Sequence, residues 1–288
     1  MPTAQQPAPA RRLWEAVEPL HAIVYFAPEP AAEARALGLP GWWMGYFAGR
    51  VAPLGPLGPA PVAAMFHGFA PAMVARSLPD AWAYASPGAV LESRMEAVRA
   101  ALARTLPAGS GGQLARLAEL LEGAVAGCGF EGRPLAAGWA RVPRPADPAA
   151  RVWLAATVLR EHRGDGHVLA AVHAGLGGLD TTLTHVATGS VPLRAVQDNR
   201  GWTEAEWEDS RRRLTERGLL GEDGRLTEAG GALRRRLEED TDRLAASPLA
   251  ALGAAGTEEA IRLATPLSRH LVDTGALPVP NPMGAPRP

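Results

Sequence analysis

Residues 211–230 constrain the fold of this chain more than any other segment. A helical run there leads to Leu219 and Leu220, and the pair Asp223-Gly224 separates these from Leu226. An Asp-Gly pair between two short apolar segments is the strongest short signal for a β-hairpin, because Gly accepts the positive φ that the turn requires. Thr227 is then a favourable N-cap for a following helix. The segment predicts a helix, a small two-stranded hairpin and a second helix.

The preceding helix is predicted over residues 204–217, where Thr203 and Glu206 have the spacing of a capping box. The sequences RLTERGLL and GRLTEAG in this part resemble the winged-helix unit of the MarR type. This resemblance implies a helix-turn-helix with a small β-wing. It does not imply a particular activity.

Proline and glycine divide the rest of the chain into predicted helices. We predict five parts, which are a disordered leader (1–10), an N-terminal winged-helix-like half (11–106), a linker with one helix (107–148), a C-terminal winged-helix half (149–245) and a C-terminal helix with a Pro-rich tail (246–288).

The two halves share local features that suggest an internal duplication. Residues 38–41 (GLPG) correspond to 175–178 (GLGG), and residues 75–91 correspond to 216–233. The predicted fold is therefore mainly α, with two tandem winged-helix-like repeats, small β-wings and a pocket between the halves. The alternative is that helices rich in Ala, Gly and Leu align through composition alone.

Charge and cysteine content exclude several classes of function. The chain has 29 basic and 30 acidic residues, so bulk charge gives no case for binding nucleic acid or a membrane surface. One cysteine cannot form an internal disulfide or a Cys-based zinc cluster, and we expect no cofactor and no metal. The N-terminus lacks the apolar core of a secretion signal, and no apolar run has the roughly 20 residues of a membrane span. We expect a cytoplasmic protein that does not enter membranes.

The motif EHRGDGH concentrates ionisable side chains around two glycines, and its position predicts a turn between two helices. A tight turn would bring these groups to one point, with a histidine as proton carrier and a carboxylate orienting it. The predicted catalytic residues are Glu161, His162, Asp165 and His167, and Arg163 is a predicted ligand-binding residue. An exposed polar connector is the alternative. A metal site is disfavoured because the histidines lack the usual helical spacing.

An aromatic segment in the first half suggests a ligand surface. The helix over residues 42–51 places Trp43 and Arg50 on one face with Tyr46 nearby, which suits a flat or anionic organic ligand. Core packing is the alternative. The predicted ligand-binding residues of this half are His21, Tyr25, Glu29, Trp43, Tyr46 and Arg50.

Motifs along almost the whole chain, among them EHRGDGH and the closing PNPMG, are similar to an actinobacterial family described as helix-turn-helix or MarR-like. The similarity implies the fold and no reaction. DNA binding is disfavoured, though not excluded, because Glu204, Glu206, Glu208 and Asp209 crowd the helix that would read DNA. The arginines of 211–213 and 234–236 are the features in favour of DNA binding.

These patterns predict a protein that binds a small organic ligand in a pocket between its two halves. A metal-independent enzyme using acid–base chemistry is the favoured form, because two histidines and two carboxylates within seven residues exceed what ligand binding requires. The alternative is a MarR-like, DNA-binding transcriptional regulator with a ligand pocket.

Overall fold

The computed structural model describes residues 8–281, 283–285 and 287–288. In these residues the chain forms fifteen α-helices and one short 3-10 helix, Ala52–Leu54. The helices are α1 (Pro9–Phe26), α2 (Pro28–Ala36), α3 (Gly41–Val51), α4 (Pro59–Met65), α5 (Pro71–Ala75), α6 (Ala81–Tyr84), α7 (Pro87–Thr105), α8 (Gly111–Ala126), α9 (Pro134–Trp139), α10 (Pro148–His173), α11 (Gly178–Val186), α12 (Leu193–Arg200), α13 (Glu204–Glu216), α14 (Glu228–Leu244) and α15 (Ser247–Asp273).

Proline sets many of the helix starts. Seven helices begin on a proline, where the fixed φ suits the first turn and the missing N–H would have had no partner in the helix. Side-chain caps add to this at α7, α10, α13 and α14. Ser86 caps α7, and Thr203 with Glu206 forms the predicted capping box of α13. Local sequence therefore determines these helix starts.

Three hydrophobic clusters hold the helices together. The largest joins α1, α7, α8, α10 and α15 and contains the fully buried Trp139 and Trp153. The second is aromatic and is built by α3 to α7, with Phe47, Phe66 and Phe69 at its centre. The third belongs to the end of α10 and to α11–α14. Helix α10 contacts α1, α7, α8, α9 and α14, so it runs through the middle of the molecule.

The predicted β-wings are wrong, and with them the fold of two tandem winged-helix-like repeats. Asp223-Gly224 does form a turn, in which the N–H of Gly221 bonds the carbonyl of Arg225 at 2.9 Å. The segments on either side make one isolated antiparallel bridge, Leu220–Leu226, and the described residues contain no strand. Helix α13 ends four residues before this bridge and Thr227 already caps α14, so no length remains for a ladder. The mainly α class is confirmed.

The two predicted halves also differ in their helices. Residues 11–106 contain α1–α7 and the 3-10 helix, whereas residues 149–245 contain five helices, α10–α14. In the first of these ranges, residues 66–70 separate α4 from α5. None of the described helices has the length and apolarity needed to cross a bilayer.

The two ends of the chain lie partly outside the described residues. Residues 1–7 of the predicted leader are outside, and Pro9 and Ala10 are the first residues of α1 rather than leader. In the closing PNPMG motif Pro282 is outside. Asn281 is buried, and its amide group bonds the backbone N–H and carbonyl of Ala285, which holds the terminal turn.

Candidate functional site

The segment EHRGDGH does not form the predicted turn, because residues 161–167 are helical and lie inside α10. Gly166 serves helix packing instead. A Cβ at this position would lie 2.7 Å from Nη1 of Arg133, whose side chain crosses α10 here and donates to the carbonyls of His162 and Leu244. Because successive helical residues are rotated by about 100°, the ionisable side chains point in different directions instead of converging.

Glu161 is held in a buried ion bridge between α10 and α3. Arg50 Nη2 lies 2.9 Å from Oε1 and 2.8 Å from Oε2, and Arg160 Nη1 lies 2.8 Å from Oε2. Burial alone would raise the pKa of Glu161, but the charges of Arg160 and Arg50 outweigh it and lower the pKa to about 2. The carboxylate is therefore ionised at neutral pH and is a structural anchor for Arg50.

Asp165 and His162 face the short helix α9 and the segment before it. Oδ2 of Asp165 accepts the N–H of Ala136 at 3.1 Å, which satisfies a donor in the first turn of α9. Burial raises the pKa of Asp165 to about 6 and lowers that of His162 to about 4. Both side chains thus connect α10 to its neighbours.

His167 and Arg163 face α14. Nδ1 of His167 lies 3.0 Å from Oγ1 of Thr241, and Nη1 of Arg163 bonds Asp242 at 2.7 Å. Burial lowers the pKa of His167 to about 4. The catalytic role of Glu161, His162, Asp165 and His167 stays a prediction, and the predicted convergence of these groups is not present.

Two of the candidates in the first half lie away from a common site. Glu29 makes an ion pair with Arg104, whose Nε is 2.5 Å from Oε1. Trp43 packs on Phe47 and Phe69, with ring centroids 5.9 and 5.8 Å apart, and so belongs to the aromatic core. The geometry of Glu29 is that of a surface ion pair, and the geometry of Trp43 is that of core packing.

Four other candidates are brought together by α1 and α3. The ring of Tyr25 is 5.4 Å from that of His21 and 5.3 Å from that of Tyr46. Arg50 Nη1 donates to the Tyr46 hydroxyl at 3.0 Å. Tyr25 and Tyr46 also line a pocket with a cavity volume of about 90 Å³ between α1, α2, α3 and α7. Its remaining lining residues are Val24, Pro30, Ala31, Ala34, Arg35, Gly41, Trp42, Gly45 and Arg94.

Tyr25 and Arg94, which line this pocket and together are called its floor, carry buried polar atoms without partners in the part of the chain that the structure describes. Among the described residues, no hydrogen-bond partner is found for the Tyr25 hydroxyl or for Nε and Nη2 of Arg94, although both residues are buried. The same holds for Nε2 of His21, one helical turn before Tyr25. Buried polar groups are normally hydrogen-bonded, so these three neighbouring exceptions make this place a candidate binding site.

Arg94 lies among aromatic rings. Its Cζ is 5.5 Å from the ring centre of Tyr25, 6.0 Å from Trp139 and 5.8 Å from Trp153. Gly49 makes room for it, since a Cβ at this position would lie 2.7 Å from Nη1 and 3.3 Å from Cδ of Arg94. Burial lowers the pKa of Arg94, and a guanidinium nevertheless stays charged in proteins.

The hydrogen bonds of Thr157 define the tautomer of His21. Oγ1 of Thr157 donates to the carbonyl of Trp153 at 2.8 Å, so its contact of 2.9 Å with Nδ1 of His21 requires the histidine to donate. Burial lowers the pKa of His21 well below its usual range, which keeps the ring neutral. Nε2 of His21 is consequently a hydrogen-bond acceptor.

Positive charge dominates the surroundings of Tyr46. Four arginines (Arg50, Arg94, Arg160 and Arg200) interact electrostatically with Tyr46, and the carboxylates that act on some of these arginines are Glu18, Glu161 and Asp165. Burial raises the pKa of Glu18 to about 7, so its negative charge is incomplete at neutral pH. Burial would also raise the pKa of Tyr46, but Arg50, Arg200 and Arg160 together lower it. This environment favours an anion.

Sequence reasoning did not include Arg94, although one signal was available. Along α7 the buried positions Val90, Arg94, Ala97, Val98 and Ala101 follow helical spacing and form one face. A lone arginine in an otherwise apolar stripe is a buried charge, and Lys, Arg, Asp and Glu are almost never fully buried unless paired. Glu18 and Arg160 were also not predicted.

Among the residues that the structure describes, no group of three or more His, Cys, Asp and Glu side chains could hold a metal ion.

Three comparisons with known proteins gave one match, to a protein family. Neither the curated proteins nor the solved structures yield a match. The model of the helix-turn-helix family matches residues 10–278, which is nearly the whole chain. The chain belongs to the helix-turn-helix family.

Proposed function

We propose that this helix-turn-helix protein binds a small anionic molecule in the pocket between α1, α2, α3 and α7. The observation that carries the proposal is the buried guanidinium of Arg94, whose Nε and Nη2 have no partner among the described residues. A buried ion without a partner costs several kcal/mol, so an anion that supplies the missing acceptors gains a corresponding binding energy.

The charges around the pocket support an anion over a cation or a neutral ligand. The nearby Arg50 and Arg160 share the carboxylate of Glu161 as an ion-pair partner, whereas Arg94 has no carboxylate partner among the described residues. The Tyr25 hydroxyl at the same floor is a second donor. An anion whose oxygens accept from both residues would satisfy the unpartnered donors of the floor.

Acid–base catalysis at EHRGDGH is not part of this proposal. Glu161 is bound by two arginines, and its low pKa removes it as a proton carrier at neutral pH. Asp165 and His167 are occupied by Ala136 and Thr241. Ligand binding therefore has more support than turnover.

Native mass spectrometry of the purified protein, followed by thermal-shift measurements with a library of small organic carboxylates, phosphates and sulfonates, tests the proposal. We expect wild-type protein to bind one class of anion and Arg94→Met to lose that binding. Arg116→Met is the matched control, since Arg116 lies on the exposed face of α8 and pairs with Glu259. Absence of any bound or stabilising anion for wild type would refute the proposal.

DNA binding is the second candidate function, and the family supports it. The charges on α13 argue against DNA binding. The exposed start of α13 carries Glu204, Glu206, Glu208 and Asp209. The arginines of 211–213 are each in an ion pair, with Glu208, Asp209 and Asp180 respectively. A helix with neutralised arginines and exposed carboxylates is a poor ligand for phosphates.

Electrophoretic mobility shifts with genomic fragments flanking the gene, at physiological salt, test this second function. We expect no sequence-specific complex tighter than about micromolar, which is the strong end of non-specific binding. A tighter specific complex would favour a regulator that uses the pocket as its sensor.

A further inference from the structure

The unpartnered atoms of Arg94 form one edge of its guanidinium. Nε and Nη2 point to the same side of the planar group and present two parallel N–H donors. The same edge binds a carboxylate in several other ion pairs of the described residues, and three of them show the geometry. The Nε and Nη2 distances are 2.9 and 2.9 Å in Arg116–Glu259, 2.9 and 2.7 Å in Arg151–Glu122, and 2.7 and 3.0 Å in Arg287–Asp273.

We propose that the pocket ligand is a carboxylic acid, bound as the carboxylate side-on to Nε and Nη2 of Arg94, with the Tyr25 hydroxyl as a further donor. This inference rests on the proposed function and specifies its ligand class. A carboxylate matches the free edge in charge and geometry, since one cation meets one negative charge and two N–H groups meet two oxygens.

A phosphate monoester fits this floor less well. Its charge at neutral pH is close to two and it has three acceptor oxygens. Arg35, the other arginine that lines the pocket, is exposed to solvent. Arg50 on α3 is buried, but its Nε and Nη2 are already directed to Glu161. The second charge of a phosphate would therefore find no second buried guanidinium with a free edge.

The walls above Arg94 suit an apolar body. They are formed mainly by small or apolar residues of α1, α2 and α3, namely Val24, Pro30, Ala31, Ala34, Gly41 and Gly45. Trp42 stands at the mouth with 44% of its surface exposed, and its ring stacks on that of Tyr46 at 5.1 Å. A carboxylate with a compact aliphatic or single-ring body fills such a space, because apolar walls recover binding energy in proportion to the area they cover.

Tyr46 is positioned from behind the pocket. Its hydroxyl accepts a hydrogen bond from Arg50, and it also shares a side-chain hydrogen bond with Arg200. Gly49 lets Arg94 approach α3, as described above. The binding groups are thus held in place by the fold, which reduces the ordering that a ligand has to impose.

The test uses the full chain and matched probes in isothermal titration. The probes are butyrate, hexanoate and benzoate, each compared with the corresponding amide, together with butyl, hexyl and phenyl phosphate. We expect at least one carboxylate to bind, its amide to bind at least about tenfold more weakly, and Arg94→Met to lose about 100-fold in affinity, the value of two charge-assisted hydrogen bonds.

Arg94→Lys keeps the positive charge but lacks the two-pronged edge, and Tyr25→Phe keeps the ring but lacks the hydroxyl. We expect at least about tenfold weaker carboxylate binding for the first and a loss of a few-fold for the second. Arg116→Met should bind like wild type. Because Arg94→Lys retains charge and most of the volume, it tests the edge even if Arg94→Met folds poorly.

Three outcomes would overturn the inference. These are amides that bind as well as their acids, phosphates that bind while no carboxylate of the series does, and carboxylate binding that Arg94→Lys and Arg94→Met leave unchanged. In the second case the proposed anion-binding function stands and only the ligand class fails. If no probe binds and the purified protein carries no anion by native mass spectrometry, both fail.

Discussion

Arg94→Met should increase the free energy of unfolding of the ligand-free protein, although it replaces a buried side chain. Arg94 is 8% exposed and keeps Nε and Nη2 without partners among the described residues. An unpaired buried ion carries an effective desolvation penalty of several kcal/mol. Methionine has a similar length, carries no charge and adapts its shape to irregular spaces.

The aromatic contacts of Arg94 oppose this gain but are weaker. All three ring centres lie 5.5 to 6.0 Å from Cζ, near the outer limit for a cation–π interaction, so each contributes about 0.5 kcal/mol. Set against the desolvation penalty, these contacts leave a net increase of about 1–3 kcal/mol in the free energy of unfolding. For a chain of this length that corresponds to a rise in Tm of about 2–6 °C.

Arg50→Met is the matched contrast, since Arg50 is 6% exposed and is also an arginine among aromatic rings. It differs in being paired with Glu161, which would keep only Arg160 after the substitution. We expect a loss of about 3 kcal/mol, the lower end for breaking a buried ion pair. The two substitutions should therefore change stability in opposite directions.

Thermal melts and urea titrations of dialysed wild type, Arg94→Met and Arg50→Met measure this contrast. A loss of 1 kcal/mol or more for Arg94→Met would refute the reasoning. Arg94 would then be a structural residue, and the binding proposals would lose the observation on which they rest.

Three further predictions concern neighbouring groups. Gly49→Ala should weaken binding of the anion by displacing Arg94, whereas Gly112→Ala, where a Cβ meets open space, should not; equal affinities in titrations would contradict this. Glu18→Gln should stabilise the protein progressively between pH 4.5 and about 7, because the folded state holds the Glu18 proton more tightly than the unfolded state; the gain is about 3 kcal/mol above that range, and urea titrations that show no pH-dependent difference would contradict it. His167→Ala removes the bond to Thr241 and should lower the free energy of unfolding by about 1–3 kcal/mol with ligand binding intact. Unchanged stability with lost binding would instead support the catalytic assignment made from the sequence.

The sequence predicted features that depend on neighbouring residues. The capping box of Thr203 and Glu206, the Thr227 cap and the Asp223-Gly224 turn are all present, because each is determined within four residues. The mainly α class follows from the same local patterns. His21 and Tyr25 were also selected, and they prove to carry unpartnered buried atoms.

Contacts between distant segments decided the rest. The glycines of EHRGDGH predicted a turn, yet residues 161–167 are helical, and Gly166 instead makes room for the side chain of Arg133. The hairpin turn forms, yet no ladder extends it, since α13 and α14 take the flanking residues. The local sequence thus predicted the turn correctly but predicted two strands where one isolated bridge is found.

The pocket itself is determined by tertiary structure. Arg50 and Glu161 are 111 residues apart, and nothing in either local sequence shows that they neutralise each other. Arg94 is buried by rings from three other helices, α1, α9 and α10, and only their packing leaves its Nε and Nη2 without an acceptor. Sequence determined which residues are charged and where helices begin, because these depend on side-chain chemistry and local backbone preference. Whether a charge is paired or waits for a ligand depends on which groups share the same dry space, and only the packed fold decides that.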